Sequence, residues 1–223
     1  MGHPRAHVIE FVVDRDDIAA FLGNPENPEQ PRKVSDSESR NFLKLSTDVK
    51  SGGLESLPDD VSENLNKHLM ECLDLLQLGR FEFAYRTARE IVHYMQVCQH
   101  LAKDKTEWQS GERLSREQLK AGHSNWQSDL DGEILQKILP RLHGSRNRIG
   151  PLIGALSSYM HTGDVETAKA YFPEGGSEIA DKSIGDPDFA AMKGDEARFP
   201  RSFQKLKAMA RILVEEQFVS FIC

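Results

Sequence analysis

The stretch RFEFAYRTAREIVHYM, residues 80–95, places two arginines, Arg86 and Arg89, at the expected start of a helix. A helix N-terminus carries roughly half a positive charge, so a cation there is mildly unfavourable, by up to about 1 kcal/mol. The same end is a natural anion site. Either these guanidiniums point into water, or they share an anion with the helix. Thr87-Ala88-Arg89-Glu90 has the form of a capping box, in which Thr87 bonds the third amide and Glu90 reaches back to the cap. With Thr87 as the cap, Arg86 lies just outside the first turn and can bend toward an anion facing the helix end. On local sequence alone, an ordinary surface arginine is the favoured reading.

Other chemistry is poorly supported. A nucleotide-binding phosphate loop needs glycine amides and a Gly-Lys pair, and no Gly-Lys pair occurs in the chain. VIEFVVD resembles an apolar strand ending in a magnesium-holding acid, but Asp14 is followed by Arg15 where a second acid belongs. His93 and His100 share a helix face with no carboxylate or cysteine to complete a metal site. Cys72, Cys98 and Cys223 are odd in number and widely spaced, so they form no disulfide framework and are expected to be reduced. A basic cluster of Arg141, Arg146 and Arg148 is the one feature that suggests nucleic acid.

The overall charge argues against that use. Across 223 residues the formal charge is −7, from 28 Lys+Arg against 35 Asp+Glu, so no general attraction to nucleic acid or an anionic membrane is expected. No apolar run approaches the length that spans a bilayer. MGHPRAHVIEF lacks the pattern of a secretion signal, so the expected compartment is the cytoplasm.

The elements that must position these residues are mostly helical. HVIEFVV, residues 7–13, reads as a strand buried on both faces, although nothing resembles a partner strand until FVSFI at the far end. A short helix, DRDDIAAFL, follows, and residues 23–58 have linker composition. Five amphipathic helices then follow. One covers residues 60–78, with Val61, Leu65, Leu69, Cys72, Leu73 and Leu76 on its stripe and Gly79 as its cap. The second spans 87–102, and after a polar stretch (103–128) DGEILQKILPRLHG forms the third, which Pro140 should kink or end. SRNRIGPLIGALSSYMHTG is the fourth. Residues 163–199 are Gly- and Asp-rich around one short helix, and the last helix opens at Pro200. This pattern predicts a mainly α helical bundle.

PRAHVIEF, FAYRTAREIVHYM, ILQKILPRLHGSRNRI and FPRSFQKLKAMARILVEEQFVSFI together resemble the C-terminal portion of McrB-like AAA+ NTPases, the motors of modification-dependent restriction and related defence systems. The resemblance covers roughly residues 3–22 and most of 59–223. It implies a last core strand with a short helix (1–22), a polar linker (23–58) and an AAA+ lid-like helical domain (59–223). The strand without a sheet is then left over from an α/β core. Arg5 matches the segment that carries the family's arginine finger, and Arg86 matches the second sensor of the γ-phosphate. The phosphate loop, magnesium acids and first sensor have no counterpart here. The resemblance therefore implies GTP or ATP with magnesium only in a complete enzyme, a ring with neighbouring subunits and a partner nuclease, and no hydrolysis by this chain alone. His143–Arg146 also resembles the family, without an evident role. The alternative is a stand-alone helical interaction protein that modulates a related NTPase. If residues 7–13 belong to another domain, deleting 1–13 should improve solubility, measured as the soluble fraction, without changing the helical circular dichroism.

Overall fold

Between Ile149 and Met160 the chain carries no charged side chain, and a helix that is apolar on every face has to be surrounded. That helix is the centre of the fold. The computed structural model describes residues 54–221 other than 103, 113, 116, 119, 120, 122 and 174–179. These belong to a compact unit, Ser51–Cys223. The expected strand at 7–13, the helix after it, the linker up to residue 53, Arg5 and Cys223 lie outside the described residues.

Eight α-helices stand among the described residues: α1 (Asp59–Leu78), α2 (Tyr85–Leu101), α3 (Lys105–Ser110), α4 (Trp126–Glu133), α5 (Arg146–Thr162), α6 (Val165–Lys169), α7 (Pro187–Ala191) and α8 (Pro200–Glu216). The chain is a mainly α helical bundle, with one small antiparallel sheet of β1 (His143–Ser145) and β2 (Phe218–Ser220). The central helix α5 packs most extensively on α8, and also on α6, α1 and β1. Two glycines permit close approach. A Cβ on Gly154 would lie 2.3 Å from the Tyr171 ring, and one on Gly79 would lie 2.6 Å from Leu152. Gly79 does follow α1 as expected, but the left-handed residue is Arg80, with φ of 59°. The stripe on α1 also differs in one position, since Leu75 is buried and Leu73 is half-exposed.

The stretch at 103–128 is less polar in space than in sequence. It contains α3, whose Trp108 is fully buried and donates through Nε1 to Asp129 at 2.8 Å. Asn125 caps α4 in a reciprocal box with Ser128. The helix then widens into a π-turn (Ile134–Ile138) and tightens into a 3₁₀ turn (Leu139–Arg141) around Pro140, which ends its regular part as expected. The FVSFI run has a partner: Gly144 faces Val219 and His143 faces Ser220, so the His143–Arg146 segment builds the sheet and starts α5.

A second tie joins α4 to α8. Asp131 on α4 accepts the Arg201 and Ser202 amides at 2.8 and 2.9 Å, and the Ser202 hydroxyl donates back to the Asp131 carbonyl at 3.0 Å. Those amides belong to the first turn of α8, where backbone donors have no partner within the helix.

A third tie joins α1 to α5. The Tyr159 hydroxyl donates to Glu71 at 2.6 Å, so its oxygen accepts from His68 Nδ1 at 2.5 Å. His68 is 1% exposed and is surrounded by the rings of Trp126, Tyr159 and Phe199. Burial, aided by the charges of Arg198 and Lys67, pushes its pKa down to about 3. The folded pKa lies below the unfolded one, so the contribution is complete above about pH 6.5 and is lost as pH falls toward 3. It amounts to on the order of 5 kcal/mol. Thermal melts should therefore show stability dropping between pH 6 and pH 4. His68→Leu, although less stable at pH 7, should lose less over the same interval.

Candidate functional site

Helix α2 starts three residues earlier than a Thr87 cap would require. Its N-cap is Ala84, which has no side chain to offer, and Arg86 lies inside the first turn. The Thr87 hydroxyl does not close a capping box, because it accepts a hydrogen bond from Arg141 Nη2 at 2.8 Å. Arg141 Nη1 donates to the Glu82 carbonyl at 2.9 Å. One guanidinium thus spans the loop before α2 and the helix's own first turn, and the planar fork of arginine suits that bridge. The 3₁₀ turn at Pro140 delivers Arg141 to this position.

Glu90, the other half of the expected box, is turned outward. It accepts from Arg86 Nε at 3.0 Å and from Lys137 at 3.2 Å. Burial raises its pKa, but these two cations outweigh that effect and hold the carboxyl below the ordinary range. The Arg86 side chain is 60% exposed, and its terminal nitrogens have no partner among the described residues. An exposed pair such as Arg86–Glu90 contributes under about 1 kcal/mol, so the guanidinium can leave it at small cost. Arg89, three residues beyond Arg86 on the same helix, is exposed.

The basic cluster divides in space. Arg141 lies under α2, Arg148 lies over the Phe81 ring at 5.6 Å, and Arg146 lines a separate cavity. A shared phosphate-backbone surface is therefore not what these three residues build.

A family description, "Domain of unknown function (DUF8727)", matches residues 31–218. The chain belongs to the DUF8727 family. No curated protein and no solved structure matches it. Within this DUF8727 chain the matched span contains Arg86, Arg141 and all of α5, while Arg5 falls outside it.

A second place in the DUF8727 domain gathers reactive side chains. Cys98, Tyr94, Asp129 and the Glu107–His123 pair (2.9 Å) line a hollow of about 340 Å³. Cysteine nucleophiles act as thiolates. Burial, and then the Asp129 carboxylate, push the Cys98 thiol far up, so this arrangement does not activate sulfur. Among the described residues no three His, Cys, Asp or Glu side chains stand close enough to hold a metal ion. No described helix is long and apolar enough to cross a membrane.

Arg141 was legible only as one member of a basic cluster, and Lys137 carried no signal at all. If Arg141 positions α2, Arg141→Ala should lower the unfolding free energy by about 1–3 kcal/mol, measured by urea denaturation. The reason is that the buried Thr87 hydroxyl, and with it the exposed Glu82 carbonyl, lose their charged donor. Arg141→Lys should recover less than half of the loss, because an ammonium cannot span both acceptors.

Proposed function

We propose that this chain is the lid region of a McrB-like AAA+ NTPase in a restriction or defence system, acting in the cytoplasm. The supporting observation is Arg86: a solvent-facing guanidinium in the first turn of a helix with no side-chain cap, tethered only by a weak ion pair. Such an arginine can reach an anion at the helix end. In this reading the anion is the γ-phosphate of GTP or ATP, held with magnesium by an AAA+ core in a longer chain or a partner. Arg141 and Lys137 do not compete for the anion, since both are engaged with this domain.

The role of Arg86 is electrostatic. As the terminal phosphate departs, charge spreads over its oxygens, and a guanidinium aimed at them stabilises the transition state more than the ground state. Arg5 would act in the same way across a subunit interface. Ring assembly supplies neighbouring subunits, and a nuclease subunit would use the motion.

The test is a ring assembled from a McrB-like core joined to this lid. Arg86→Ala should lower hydrolysis by about a thousandfold or somewhat less, the low end of what arginines give in phosphoryl transfer. Arg89→Ala should have a much smaller effect, and both variants should keep the wild-type helical signal. An unchanged rate for Arg86→Ala would sink this reading.

A further inference from the structure

A cavity of about 400 Å³ opens between the start of α5 and the segment before α7. Arg146 and Lys182 come to it from different elements. Neither side chain has a hydrogen bond or an ion pair among the described residues. Among the described residues no acidic side chain lines the cavity. In a chain of charge −7, two unpaired cations facing one hollow repel each other until something anionic lies between them.

Two hydroxyls face the same space. Tyr171 lines the cavity and is only 2% exposed, its ring held between Gly154 and Phe189. Its hydroxyl has no partner among the described residues, yet it is not among the sealed polar atoms, so it opens on the cavity. Burial and the nearby carboxylates of Asp186 and Asp188 push the phenol up to about 12, which keeps it a donor. Asp186 itself is occupied by the Ser183 amide at 2.6 Å. The Ser183 oxygen accepts from the Gly185 amide at 3.2 Å, leaving its proton to be given. Pro151 and Ile184 complete an apolar wall.

We propose that this cavity binds a small organic phosphate. Arg146 and Lys182 meet the charge, and the Tyr171 and Ser183 hydroxyls donate to the phosphate oxygens. A phosphate offers oxygens enough for all four groups, and charge-assisted bonds of this kind are the strong ones. The volume is within the range of small-molecule sites, and the apolar wall suits the organic part. The site shares no residue with the Arg86 end and does not depend on the lid reading.

Calorimetric titration of the whole chain at low salt tests the proposal with ribose 5-phosphate, inorganic phosphate and ribose. The sugar phosphate should bind at least fivefold more tightly than inorganic phosphate, and ribose should give no binding. Arg146→Gln and Lys182→Gln should each weaken the sugar phosphate by about tenfold or more, as loss of a charged hydrogen bond implies. Tyr171→Phe should weaken it by about threefold, the value of a neutral hydrogen bond. Lys193→Gln, on the exposed surface, should leave it unchanged. Equal affinity for phosphate and sugar phosphate would overturn the organic ligand. No binding of either at millimolar concentration, or unaltered binding in both charge variants, would overturn the site.

Discussion

The carboxylate of Asp131 stands where the first turn of α8 needs an anion, and much of the bundle is arranged around it. It accepts two amides that the helix cannot satisfy, and the Ser202 hydroxyl returns a bond to the same residue. Burial raises the cost of the charged carboxyl, and the Ser202 and Arg201 bonds offset only part of it. Removing either side would leave buried donors or a buried charge without a partner, which costs more than the bonds themselves contribute. The tie fixes α4 against α8, and α8 is the helix on which the central α5 packs most extensively. Arg201, a cation at the start of a helix, is tolerable there because Asp131 is beside it.

Helix α2 presents the opposite case. Its first turn also carries a cation, Arg86, but among the described residues no other helix lends it a carboxylate. The neighbouring side chain reaching in is Arg141, itself a cation, and it satisfies a hydroxyl and a carbonyl instead of amides. The two helix starts therefore differ in kind: one is closed by a carboxylate from another helix, and the other has no side-chain cap among the described residues. The starts of α2 and α8 look alike in composition, and only the cross-chain partners separate them.

The helical architecture was readable because most of the apolar stripes recur at helical spacing over long runs. Val61, Leu65, Leu69, Cys72 and Leu76 on α1, and Phe203, Leu206, Met209 and Leu213 on α8, are all buried as their periodicity implies. Helix α3 was not readable, because its single turn buries one large residue, Trp108, and a lone tryptophan has no period. The sheet was missed for a similar reason: His143-Gly144-Ser145 is too short and too polar to look like a strand until Val219 lies across from it. The capping box at Thr87 was a local pattern overridden by a distant residue, since Arg141 is separated from Thr87 by the rest of α2 and by α3 and α4. The hollow at Arg146 shows the same limit, because Lys182 and Tyr171 reach it from segments with no motif of their own.

The β1–β2 pairing encloses everything from Arg146 to Gln217 in one closed loop of chain. Once such a loop is long, its closure entropy grows only logarithmically, and each doubling of length costs about 0.6 kcal/mol. The stretch between α6 and α7 lies inside that loop. Closure alone therefore sets little penalty on its length, and what constrains it is the placing of Tyr171, Lys182 and Ser183 at the cavity. The clasp itself has no such latitude. Gly144 and Val219 are both buried and directly opposed, so a slip of one residue would turn the strand's inward side chain out to water.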